Sequence, residues 1–227
     1  MNVTTATCKG STEKSFNQKW LLALVMVTVI AFGWKFPMLG FVVPIAMSAG
    51  LIGGFFRGRW VCGNACPRGS FLDTWFNLVS GKRDIPVLLR NTKFRWIILT
   101  GLMSFMVIRL SQNPSEINHW GLVFWQMCML TTIAAVGLGL RYSARSWCSI
   151  CPIGTMAGTV GREKHPLQVS SGCKACGICE NSCPMQLEIA RYRMTGKSEA
   201  QDCLKCSSCI KACPHNSVLS WPTKKEP

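Results

Sequence analysis

The chain has 227 residues, 25 Lys and Arg against 10 Asp and Glu, and a formal net charge of +15, yet 48% of its residues are hydrophobic and only 15% charged. That is too apolar for a disordered basic tail and too poor in charge for an ordinary soluble domain. Twelve of its 14 cysteines fall in tight clusters, in a chain with long apolar runs, which does not suit a secreted disulfide scaffold, so a simple soluble enzyme, a nucleic-acid binder and a nucleic-acid partner are all set aside.

Residues 1–19 read as a polar N-terminal tail carrying Lys9, Lys14 and Lys19. Four apolar stretches follow, each long enough or nearly so to cross a bilayer: Trp20 to Phe36, Met38 to Phe56, Phe94 to Leu110 and Trp120 to Leu140. Trp20, Trp34, Trp60, Trp96, Trp120 and Trp147 lie near their ends, where indole rings favour the membrane interface. The first stretch runs into Trp34-Lys35-Phe36-Pro37 without a small-residue cleavage site, and so reads as a span, not a cleaved signal. The tail holds three basic residues, Arg57 to Arg95 eight, and the segment after the fourth stretch twelve of the 25. Only Lys35 and Arg109 lie near the opposite side, so the positive-inside rule puts both termini and the large loop in the cytoplasm of a multi-pass protein of the inner (cytoplasmic) membrane.

The chain repeats itself. The first pair of spans ends in Gly58-Arg59-Trp60-Val61-Cys62, then Cys66-Pro67-Arg68-Gly69. The second pair ends in Ala144-Arg145-Ser146-Trp147-Cys148, then Cys151-Pro152-Ile153-Gly154. Gly50 and Gly54 close the second span at a spacing that lets helices pack tightly, and Ala135 and Gly139 hold the matching place. Two parallel hairpins about a pseudo-twofold axis along the membrane normal would bring Cys62, Cys66, Cys148 and Cys151 together on the cytoplasmic face. Four thiols there suit a third [4Fe–4S] cluster or a zinc ion; a redox dithiol or simple packing are the alternatives.

The C-terminal segment contains Cys173-x-x-Cys176-x-x-Cys179-x-x-x-Cys183-Pro184, then Cys203-x-x-Cys206-x-x-Cys209-x-x-x-Cys213-Pro214. This is the bacterial two-cluster ferredoxin run, twice over, in which three close cysteines wrap one cubane and the Cys before Pro reaches the other. Cluster one is therefore assigned to Cys173, Cys176, Cys179 and Cys213, and cluster two to Cys203, Cys206, Cys209 and Cys183. Zinc ribbons use pairs of Cys-x-x-Cys instead, and disulfides do not suit the cytoplasmic side. Two thiolate-bound [4Fe–4S]²⁺ centres would lower the net charge to about +11. Small residues between the ligands, among them Ala175, Gly177, Ser207 and Ser208, leave backbone amides free to approach the sulfurs.

Ser70–Ser80 is an amphipathic helix in the interface or a segment packed beneath the ferredoxin domain. The three histidines, His119, His165 and His215, all lie outside the middle of a span, which excludes a bis-histidine haem. His119 reads as an interfacial polar residue and His215 as a neighbour of a cluster edge. Cys8 and Cys128 have no spaced partners.

Together, four spans, two Cys-Pro motifs and a two-cluster ferredoxin over about residues 20 to 220 resemble the membrane ferredoxins of the NapH, MauN and NosR type. The resemblance implies a protein that passes electrons between the quinone pool and other redox subunits, or one that supplies electrons for maturation of a partner enzyme. Its expected architecture is mainly α: a four-helix transmembrane bundle of two repeated hairpins (20–165), a two-[4Fe–4S] ferredoxin-like α+β domain (166–222) and a short tail (223–227).

Overall fold

A computed structural model describes residues 12–76, 79–81, 83–215 and 218–222. Cys8, Lys9 and the tail 223–227 lie outside the described residues, as do Leu78 and Lys82. The first helix, α1 (Thr12–Phe32), buries Ala23, Met26 and Val29, one helical face, while Leu21, Leu24 and Phe32 stay exposed on the others. It stops at Phe32, four residues short of the stretch expected from sequence, because the chain turns through Gly33–Lys35 ahead of Pro37.

A 3₁₀ turn (Pro37–Phe41) leads into α2 (Val42–Arg57). After the loop come α6 (Thr92–Ser111), capped by the Asn91 side chain on the Lys93 amide, and α7 (Ile117–Arg141). Three of these segments, Pro37–Arg57, Thr92–Ser111 and Ile117–Arg141, are long and apolar enough to cross a membrane; Asn17–Phe32 is apolar but shorter. Gly50 and Gly54 are buried as expected, but against Ile153 and Ala157 of a short helix, α9 (Pro152–Val160), and not against another long one.

Each Cys-Pro motif folds as two short helices. The first gives α3 (Trp60–Asn64) and α4 (Pro67–Phe71); the second gives α8 (Trp147–Ile150) and α9. In both, Pro takes the first helical turn, where it has no amide to lose and its φ is already helical. A π-helical turn (Leu72–Phe76) extends α4. Phe71 and Leu72 are buried in the main core with Ala23, Met26, Leu89 and Trp147, while Trp75 is 46% exposed. Packing therefore decides the fate of the first half of the Ser70–Ser80 segment.

In the C-terminal unit, β1 (Gln168–Val169) pairs antiparallel with β2 (Leu219–Ser220) and ties the two ends of the domain together. Between them, α10 (Ile178–Asn181) and α11 (Ser208–Ala212) pack on each other, and Leu167, Val169, Cys179, Ile189, Cys209 and Leu219 make a second core.

The two units meet along a polar seam. Helix α5 (Val87–Arg90) sends Arg90 Nη2 to the carbonyls of Met185 and Gln186, 2.9 Å each. Gln186 Oε1 accepts from the Ile85 amide at 2.8 Å. The loop between the second and third long helices is thus a cradle for the C-terminal unit.

Candidate functional site

The C-terminal cysteines fall into two groups. One cavity is lined by Cys173, Cys176, Cys179 and Cys213, with His215 at its edge. A second is lined by Cys183, Cys203, Cys206 and Cys209. The chain crosses between them because each half runs from its three-cysteine loop through a short helix to a Cys-Pro turn beside the other half. The loops are shaped by left-handed residues on either side of each middle cysteine: Ala175 (φ 53°) and Gly177 (φ 74°) in one, Lys205 (φ 52°) and Ser207 (φ 63°) in the other. Alternating handedness turns successive amides inward, and such a nest suits an anionic cluster. For a non-glycine residue a left-handed backbone is costly, so the fold holds Ala175, Lys205 and Ser207 against their preference.

The thiols are electrostatically frustrated when alone. Burial pushes Cys209 up to about 12, helped by its neighbours Cys203, Cys206 and Cys183. Burial also raises Cys203 to about 11. Four thiolates in one pocket need a cation between them, and iron would supply it.

The two Cys-Pro motifs are tied to each other, Arg145 Nη1 donating to the Cys62 carbonyl at 3.1 Å and Arg59 Nη2 to the Cys148 carbonyl, which brings Cys62, Cys66, Cys148 and Cys151 within electrostatic reach of one another. Burial pushes the Cys62 thiol up to about 12, and Cys66, Cys151 and Cys148 add to the rise. Burial likewise raises Cys151, with Cys148 and Cys66 contributing, against the Gly154 amide and the charge of Arg68, which lower it. Among the described residues, no group of three or more His, Cys, Asp or Glu closes tightly enough around a single metal ion. A tetrahedral zinc with Zn–S bonds of about 2.3 Å needs that closeness. A cubane gives each thiolate its own iron, and so accepts a wider set. The surroundings fit such a group: Ser149 Oγ, Thr155 Oγ1, Trp147 Nε1 and Arg68 Nε are buried without a hydrogen-bond partner among the described residues. These are donors, and cluster sulfurs accept donors.

Sequence reasoning singled out the cysteines and passed over the charges around them. Arg59, Arg95 and Arg145 are all 4% exposed or less. Arg145 grips Asp73 through Nε at 2.7 Å and Nη2 at 2.8 Å, and Lys19 holds the same carboxylate at 3.1 Å. Burial resists the ionisation of Asp73, but Arg145 and then Lys19 hold its carboxyl below the usual range. Arg59 Nη1 and Arg95 Nη1 both donate to Asp202 Oδ1 at 2.7 Å, and Arg95 Nη2 reaches Oδ2 at 2.6 Å. Arg68 Nη2 lies 3.7 Å from Cys128 Sγ, which gives that lone cysteine a polar neighbour. The one available signal was positional: Arg precedes the first cysteine of both motifs by three residues, and Asp202 directly precedes Cys203.

Asp202 lies next to Cys203 and binds Arg59 of the first Cys-Pro motif, and the backbone beside it makes a second contact with that motif. Gly63, between Cys62 and Cys66, abuts the carbonyl of Leu204, between Cys203 and Cys206, and any side chain at 63 would overlap it. Asn64 Nδ2 donates to the Lys205 carbonyl at 3.4 Å beside the same contact. Cys176, in the first set, is exposed. His119 Nε2 lies 2.9 Å from the Arg109 carbonyl at the opposite end of the molecule, remote from every cysteine set.

Long apolar helices joined to a unit with two cavities, each lined by four cysteines in the two-cluster spacing, define an iron–sulfur protein. Known proteins agree: residues 39–86 and again 122–168 match the 4Fe-4S binding domain family, and residues 172–218 match the 4Fe-4S dicluster domain family. The chain is 26% identical to an uncharacterized protein of Methanocaldococcus jannaschii, MJ0749, covering 76% of this chain and 70% of that one. It is 24% identical to the putative electron transport protein YccM of Escherichia coli over 90% of its own length, but spans only 56% of that protein. MJ0750, a second uncharacterized protein of the same archaeon, is 23% identical over 74% of each chain. No solved structure matches significantly. Iron–sulfur electron transport is the function these matches support.

Proposed function

We propose that the chain is an integral-membrane electron-transfer protein of the NapH type, with four spans built as two hairpins and its clusters on the cytoplasmic face. The ferredoxin domain holds one [4Fe–4S] cluster on Cys173, Cys176, Cys179 and Cys213 and another on Cys203, Cys206, Cys209 and Cys183. Cys62, Cys66, Cys148 and Cys151 hold a third. Electrons pass between a redox subunit or carrier and the quinone pool of the membrane. Such clusters supply one-electron chemistry; the protein contributes thiolate ligands, burial and spacing.

The observation that carries this reading is the contact at Gly63 and Leu204. It lays the loop of the second ferredoxin set against the segment between Cys62 and Cys66, which supports a line from exposed Cys176 through the second set to the four inner thiols. A plain structural role for the inner four thiols would not require the loop of the second set to lie against them. The large apolar side chains left exposed on the long helices, such as Ile45, Ile52, Ile97, Ile108 and Ile133, are what a bilayer covers. The test is an iron and sulfide count on anaerobically purified protein. About twelve irons are expected, falling to about eight in a C62A/C66A variant. A count of about eight in both would remove the third cluster, and an iron-free protein carrying zinc would remove the whole reading.

A further inference from the structure

The two Cys-Pro motifs exchange arginines. Arg59 belongs to the first motif, yet its Nη2 donates to the carbonyl of Cys148 in the second. Arg145 belongs to the second, and its Nη1 donates to the carbonyl of Cys62 in the first at 3.1 Å. Each guanidinium lies over the glycine of the opposite Cys-Pro-x-Gly turn. A methyl group at Gly154 would overlap Arg59 Nη2, and one at Gly69 would overlap Arg145 Nη1. Glycine stands at both places because a guanidinium occupies the space a side chain would need.

The charge does not cancel. Arg145 shares Asp73 with Lys19, and Arg59 shares Asp202 with Arg95. Each carboxylate thus faces two cations, so each triad keeps one positive charge. The Arg145 guanidinium also lies 3.7 Å from the Cys148 sulfur. Arg68, in the Cys66-Pro67-Arg68-Gly69 turn, adds a further positive charge to the same motif. The ferredoxin sets carry weaker counterparts among the described residues: Arg193 Nη1 donates to the Cys173 carbonyl at 3.4 Å from an exposed side chain, and Lys205, two residues after Cys203, turns its ammonium to the Lys164 carbonyl.

We propose that Arg59 and Arg145 set the reduction potential of the four-thiol site, holding a cluster there above both ferredoxin clusters. This rests on the reading that the four thiols hold a cluster. Two effects oppose each other. Burial disfavours the extra negative charge of a reduced cluster, whereas positive charge and donors at the sulfurs favour it. Burial is common to the inner thiols and the second ferredoxin set, so the difference between them falls to charge: two net-positive triads flank the four thiols where water screens them little. Arg59 and Arg145 act through the cysteines and are positioning residues.

The test is an anaerobic redox titration followed by electron paramagnetic resonance, on the full chain in detergent, with iron counted on each sample. In the wild type one centre should titrate above the other two. R59Q and R145Q should each lower that centre; R145Q should leave the other two in place, and R59Q should move the second ferredoxin cluster by less than the inner one, since Asp202 directly precedes Cys203. The oxidised-to-reduced ratio at a fixed potential should change at least tenfold, which is about 59 mV for a one-electron couple. R59K and R145K, which keep the charge, should stay near the wild type. Gln variants that lose about four irons while the Lys variants keep iron and midpoint would also support the proposal, since charge then retains the cluster. Three results overturn it: a wild type with no centre standing above the others, Gln variants with full iron and unmoved midpoints, or Lys variants that behave like the Gln variants, which would make the role one of shape. A wild type with about eight irons sinks the cluster reading itself and the proposal with it, a result distinct from about twelve irons with unmoved midpoints.

Discussion

Replacing Asp202 with Ala should separate the two halves of the molecule more effectively than any other single change outside the cysteines. The substitution leaves Arg59 and Arg95 buried, each 2% exposed, with no counter-charge between them. Removing one partner of a buried ion pair costs about 3–5 kcal/mol, because the desolvated charge left behind is uncompensated. Here two such charges are left, and they repel. R95A should cost less, since Asp202 keeps Arg59 and only one guanidinium is lost. D202N should fall between, because the amide keeps an acceptor for one arginine while losing the charge. The measurement is thermal unfolding of the anaerobic holo-protein in detergent, with hydrogen exchange followed over residues 59–66 and 201–206. Faster exchange in both segments of D202A, with exchange in the strand pair Gln168–Val169 and Leu219–Ser220 unchanged, would show the seam opening while the ferredoxin unit stays folded. A D202A protein with wild-type melting and wild-type exchange would mean that the triad does not hold the seam.

The legibility of this molecule in its sequence differs sharply between its parts, for physical reasons. Ligand spacing is a local property. The grouping of Cys173, Cys176 and Cys179 against Cys203, Cys206 and Cys209, with Cys183 and Cys213 crossed over, therefore follows from the order of the cysteines alone, and the two cavities are lined by those same sets. Apolar length is also local, and three of the four expected spans appear as long apolar helices, while the described apolar part of the first is shorter. The small-residue pair Gly50 and Gly54 was visible, but its partner was not, because spacing says only that something comes close and not that the something is α9. Least visible were the charges. A buried Arg and a solvated Arg look alike in a sequence that has 25 basic residues. Only the position of Arg59 and Arg145 within the repeat, three residues before a cysteine in both halves, sets them apart. Asp73 and Asp202 meet their arginines across 72 and 143 residues of chain, a pairing that no local pattern encodes.

The crossed ligands give the second large effect. Cys183 is next in sequence to the loop of Cys173, Cys176 and Cys179, so proximity along the chain would by itself suggest that C183A damages that loop's cluster. Cys183 instead lines the cavity of Cys203, Cys206 and Cys209, just past the short helix α10 that carries the chain across. On the proposed three-cluster assignment, C183A should therefore remove up to about four irons from the cluster nearer the apolar helices and leave the outer one intact, while C213A should do the reverse. The two variants would differ in a way that iron content cannot show, since each retains about eight of about twelve. They are told apart by electron flow: C183A breaks the middle of the line between exposed Cys176 and the four inner thiols, whereas C213A removes only its outer end. Reduced by dithionite and followed by electron paramagnetic resonance, both variants should lose the magnetic coupling between neighbouring ferredoxin clusters. Only C183A should also lose any coupling between a ferredoxin cluster and the four-thiol site, because the second set is the one that lies against Gly63. If C213A lost that inner coupling and C183A kept it, the assignment of the two sets to inner and outer positions would be reversed, and the contact at Leu204 would not mark the route.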